Sequence, residues 1–95
     1  MIFTKLVFRV HAIQRMHERS ISEDEVRHVL MTGETIEAYS SDIPYPTRLM
    51  LGWHGSRPIH VVVADDADDQ TSIVITVYEP NLAEWEADFK RRKTS

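Results

Sequence analysis

The chain has 95 residues, 42% of them hydrophobic and 27% charged, with three glycines and four prolines. That is the composition of one soluble globular domain spanning residues 1–95, and it excludes collagen-like, low-complexity and wholly disordered chains. With no cysteine there is no disulfide framework, thiolate metal site or cysteine nucleophile. Eleven basic residues stand against fifteen acidic ones, a formal charge of −4. Asp65, Asp66, Asp68 and Asp69 carry all of that excess, and the rest of the chain is balanced. Nucleic-acid binders are usually visibly basic, so this balance lowers any nucleic-acid reading without removing it. The longest apolar run, Val61 to Ala64, is far too short to span a bilayer, and the opening residues lack a signal-peptide core. A cytoplasmic protein without a membrane partner is expected.

In chain order, Val10, Ile13 and Met16 keep helical spacing and predict a helix over about 10–18. Ser22-Glu23-Asp24-Glu25 is a capping box, in which serine and glutamate reciprocally satisfy free backbone N–H groups. The helix it opens carries Val26, Val29 and Leu30 as its apolar stripe, and Gly33 ends it. Glu34 to Ser40 predicts a short strand, and the prolines at 44 and 46 interrupt any pairing. Thr47 to Trp53 predicts a second strand. Ile59 to Ala64 and Ser72 to Tyr78 are rich in β-branched residues and predict a hairpin closed by the acidic loop. Leu82, Trp85 and Phe89 predict a final helix over about 82–93, with Lys90-Arg91-Arg92-Lys93 complementing its C-terminal dipole. The order α-α-β-β-β-β-α implies an α+β fold: two N-terminal helices packed on a mainly antiparallel sheet of three or four strands, plus a C-terminal helix.

Candidate chemistry lies in two places. His11, Arg15 and Arg19 follow at i, i+4 and i+8, so they share a helical face. A solvated charged row explains them more simply than a site does. His60 interrupts an aliphatic strand, on the face of Val62 and Ala64 and opposite Ile59, Val61 and Val63. In the next strand Ile73, Ile75 and Val77 predict the core-facing side. Thr76 and Tyr78 occupy the other, beside His60 if the register permits. A packed strand face and a site are both open at this point. His17-Glu18 starts like a zincin motif but has Ile21 where the second histidine belongs. No phosphate loop, nucleophile elbow or metal-ligand spacing is present, so neither metal nor cofactor is expected.

The run His11-Ala12-Ile13-Gln14-Arg15-Met16-His17-Glu18-Arg19-Ser20-Ile21-Ser22 resembles the opening of the bacterial domain-of-unknown-function family 4258. Gly33-Glu34, Tyr39, Pro44, Arg57-Pro58-Ile59-His60-Val61, Thr76-Val77-Tyr78-Glu79-Pro80 and the Trp85…Phe89-Lys90…Arg92 ending extend the likeness over about residues 10–93. The resemblance implies a distant relation to RelE/BrnT-like ribonuclease toxins of bacterial toxin–antitoxin pairs, whose small α+β fold packs helices on an antiparallel sheet. It implies an antitoxin protein, RNA or the ribosome as partners. It also implies His60, His11, Arg15 and Tyr78 as catalytic positions, with Arg19, Arg48 and Thr76 binding substrate.

Such a ribonuclease needs no metal. His60 suits the general base, because an unperturbed imidazole titrates near neutral pH. Arg15 and Arg48 suit the phosphate through their forked donors. His11 or Tyr78 suits the acid, and Tyr78 alternatively stacks on a base. Brought together, His11, Arg15 and His60 are expected to line one open cleft. The rival expectation is a non-catalytic interaction module, in which the same residues form a satisfied polar network tying the first helix to the sheet.

Overall fold

The computed structural model describes residues 5–94. The elements are β1 (Lys5–Phe8), α1 (Val10–Glu18), α2 (Glu23–Thr32), β2 (Glu34–Tyr39), β3 (Thr47–His54), β4 (Arg57–Asp66) and β5 (Thr71–Tyr78). They form one five-stranded sheet in the order β1-β5-β4-β3-β2. β2 to β5 are a local antiparallel meander, while β1 pairs with β5 in parallel. A parallel neighbour requires a long crossover, and here that crossover runs through both helices and β2 to β4.

Both helices cover one face of the sheet. α2 is set at its N-terminus by the expected capping box: Glu25 N–H donates to Ser22 Oγ at 3.1 Å, and Ser22 N–H donates to Glu25 Oε1 at 3.3 Å. Its Val26, Val29 and Leu30 are buried, as are Ala12 and Met16 of α1. These meet Met50, Ile59, Val61, Val63, Val74 and Val77 in one aliphatic core, with Leu6 and Phe8 of β1 at its margin. Gly52 lets α2 lie close on β3, since a Cβ there would stand 2.6 Å from Val29 Cγ2.

Three expectations are corrected. The sheet has five strands and is mixed, where three or four mainly antiparallel ones were expected. Over the described residues of β1, half-buried Leu6 and Phe8 alternate with exposed Lys5 and Val7, and its place depends on β5. The second correction is the C-terminal helix, which does not form. Instead the Asn81 carboxamide oxygen accepts from the Ala83 and Glu84 N–H groups at 3.0 and 3.1 Å, closing a turn. Glu86 N–H then donates to the Arg91 carbonyl, Lys93 N–H to that of Glu84, and Phe89 takes a left-handed φ of 57°. Leu82 is 55% exposed whereas Trp85 is buried, so the helical spacing of these residues does not make one packed face. The basic run answers to carboxylates and not to a dipole: Lys90 pairs with Glu34 and Arg92 with Glu37.

The third correction is in β5. Its pairing with β4 shifts between Val62 and Val63, so that Thr76 faces Val62 and Val74 faces Val63. Ile75 is the additional residue of a β-bulge, which changes the alternation along the strand. Val74 and Val77 therefore reach the core together, and Ile73 and Ile75 are only half-buried.

Candidate functional site

His60 lies in mid-strand on β4, with Leu51 of β3 on one side and Tyr78 of β5 on the other. Its neighbours Ile59 and Val61 face the helices, so His60 faces away from them, as the alternation predicted. That second face is closed by the chain after β5. Trp85 sets its ring edge-on against His60 with centroids 4.5 Å apart, and His60 has no exposed surface.

The imidazole is fixed at both nitrogens. Nε2 lies 2.8 Å from the Phe89 carbonyl oxygen, which can only accept, so Nε2 carries the proton. Nδ1 then offers a lone pair to the Tyr78 hydroxyl at 3.2 Å, and Tyr78 donates. Burial lowers the imidazole pKa and outweighs the Phe89 carbonyl, so the ring is held neutral at physiological pH. Burial likewise raises the Tyr78 phenol above its ordinary value.

Tyr78 is only half-buried and forms a wall of a cleft of ≈ 280 Å³ with Arg19, Asn81, Glu84, Trp85 and Arg92. Arg92 lies over the Trp85 ring at 4.5 Å and donates to Glu37 at 3.2 and 3.4 Å. Burial opposes ionisation of Glu37, but hydrogen bonds from Tyr39 and Arg92 hold its carboxyl below the usual carboxylate range. Arg19, at the C-terminal end of α1, is exposed and enters no ion pair among the described residues. The carboxylates at the rim are engaged: Arg57 donates to Glu79 at 2.7 Å, and Glu84 accepts from Asn81 at 3.1 Å. Arg57 also donates to the Arg19 and Ser20 carbonyls at 2.6 and 3.0 Å, so it ties the end of α1 to the end of β5.

The predicted site residues thus divide. His60, Tyr78 and Arg19 gather at one end of the sheet. His11 and Arg15 do not join them, because α1 packs Ala12 and Met16 on the opposite face, and the sheet stands between. The single open cleft holding His11, Arg15 and His60 is therefore not formed. His11 and Arg15 make a surface row of their own: Arg15 donates to His11 Nε2 at 3.3 Å and pairs with Glu18 at 3.2 Å. Arg48 is held by both oxygens of Asp65, at 2.8 and 3.2 Å. Thr76 is half-buried opposite Val62, two positions before Tyr78. Trp85, Phe89, Arg92, Glu37 and Arg57 complete the site without having been singled out for it. For Trp85, Phe89 and Arg92 a helical reading concealed the signal.

The family model described as Domain of unknown function (DUF4258) matches residues 8–79. The chain belongs to this family. The match takes in both helices and β2 to β5, and it stops before the segment that supplies Trp85, Phe89 and Arg92. No curated protein matches the chain, and no solved structure does. Among the described residues, no helix is long and apolar enough to cross a membrane.

Proposed function

We propose that the chain is a metal-independent RNA endonuclease of bacterial toxin–antitoxin type, with Tyr78 in contact with substrate and His60 acting behind it. The observation that carries this reading is the Tyr78 hydroxyl, on the wall of a cleft with Arg19 and Arg92, aimed at Nδ1 of a neutral histidine. A phenol that donates to an imidazole keeps its oxygen lone pairs for a second partner. In the proposed step, that oxygen takes the proton of an RNA 2′-hydroxyl while its own proton passes to His60 Nδ1. The 2′-oxygen bonds to phosphorus, the bond to the 5′-oxygen breaks, and the departing oxygen takes a proton from water. The Phe89 carbonyl and the nearby Glu37 carboxylate stabilise the imidazolium that forms. Arg19 and Arg92 supply guanidinium donors for the charge that accumulates on the phosphate.

The test is cleavage of labelled RNA by the full chain freed of any partner, with and without ribosomes. Tyr78→Phe is expected to lower the rate by about 10²- to 10⁴-fold, measured at a temperature where thermal melts show the variant still folded despite the partner lost by His60 Nδ1. An antitoxin protein would act by covering this cleft. Wild-type protein inert in both settings, or Tyr78→Phe as active as wild type, overturns the reading.

The complete satisfaction of His60, bonded at both nitrogens and sealed under Trp85, favours a second reading. In it the chain is a non-catalytic interaction module, and the network locks the C-terminal segment onto the sheet. Removing Tyr78 Oη or His60 would then lower stability while no RNA cleavage is present to be lost.

A further inference from the structure

The sheet face opposite the helices is only half covered. The C-terminal segment closes the rows through His60. Further along the strands, towards the acidic hairpin loop, Val62 and Ala64 of β4 and Ile75 of β5 floor a trough of ≈ 390 Å³ walled by Pro44 and Tyr45. The register extends this apolar strip to the sheet edge, because Ala64 pairs with Ile73 and Ile73 with Val7, and Val7 is 49% exposed. Beside it Ile43 is 92% exposed.

The trough is electrically polarised. Asp42 lies in its wall, and Asp66, Asp68 and Asp69 stand close enough to Tyr45 to raise its phenol pKa. Arg9 lines the trough from the β1 side, where its N–H donates to the Val74 carbonyl. Asp66 pairs with Thr71, so three strand residues, about 10 Å, separate the acidic end from the basic one.

We infer that this trough binds an apolar segment of a second protein that carries lysine or arginine at one end and a carboxylate at the other. Apolar floor and opposite end charges together fix both the position and the direction of such a segment. A second copy of this chain is a poorer occupant. Its basic run is already committed, Lys90 to Glu34, Arg91 to Asp88 and Arg92 to Glu37. The inference does not rest on the ribonuclease reading.

The test is an NMR titration of the labelled full chain with two synthetic nine-residue leucine–valine peptides, one with glutamate first and arginine last, the other reversed. Binding of one peptide is expected to shift Tyr45, Val62, Ala64 and Ile75. The affinity should fall at least about threefold in Asp68→Lys, a substitution on the exposed loop, and again in 1 M salt. Tyr78→Phe should leave it unchanged, which separates this test from that of the ribonuclease. The inference is overturned if neither peptide shifts these residues, or if Asp68→Lys and salt leave binding unaltered. It is equally overturned if the same residues shift with protein concentration alone, which would make a second copy the occupant.

Discussion

The two faces of the sheet are closed by different means. On one, α1 and α2 lay alanine, methionine, valine and leucine against the aliphatic residues of the strands. On the other, a segment without regular structure covers a fully buried histidine through one indole, one carbonyl and a set of ion pairs with β2. The first arrangement tolerates small shifts, because dispersion and hydrophobic burial have little directionality. The second depends on each hydrogen bond, because an unpaired polar group in the interior is costly. Non-directional packing and directed hydrogen bonding thereby hold opposite sides of the same strands.

Trp85→Ala should separate the faces most clearly. Losing a buried indole costs about 3–5 kcal/mol, and here it also opens His60 to water. Hydrogen exchange should rise chiefly in residues 81–94 and in β2, with α1 and α2 retaining their protection. Ile59→Ala, on the helix face, should cost about 2–5 kcal/mol and lower protection throughout, since that face is the shared core. Uniform loss in both variants would mean that the two faces fold as one unit.

His60→Phe should cost about 1–3 kcal/mol by leaving the Phe89 carbonyl and Tyr78 hydroxyl without their partner. The same residue sets a pH dependence with a definite sign. Its folded pKa lies below the ordinary 6.5, so the unfolded chain binds the extra proton first. Stability should be full above about pH 6.5 and decline as the pH falls from there towards the lowered folded value. His60→Phe should remove that slope in thermal melts. The smallest change is expected for Ser22→Ala: about 1 kcal/mol from the lost cap, with faster exchange confined to the first turn of α2.

What the sequence disclosed follows the same division. The helix face was legible because local signals agree with its packing: a capping box, an apolar stripe and strands of β-branched residues. The pairing of His60 with Tyr78 was legible as a condition on register, and the register satisfies it. The other face was not, because its decisive contacts are tertiary. Leu82, Trp85 and Phe89 have helical spacing, yet the Asn81 turn and the pull of His60 on the Phe89 carbonyl direct the chain elsewhere. The bulge at Ile75 leaves no mark in an alternating run of valine and isoleucine. β1 is held by a partner at the far end of the chain, a contact that no local pattern announces.

That partnership has a consequence for how the molecule comes into being. The hairpins from β2 to β5 join near neighbours, but β1 joins positions as distant as Val7 and Ile73, and α1 packs on β5 across a similar span. During synthesis the first strand therefore waits through nearly the whole chain, and its pairing carries the largest loop-closure cost in the fold. We expect the β2–β5 meander to form first and β1 to dock last. Substitutions at Val7 should then speed unfolding and leave the folding rate almost unchanged.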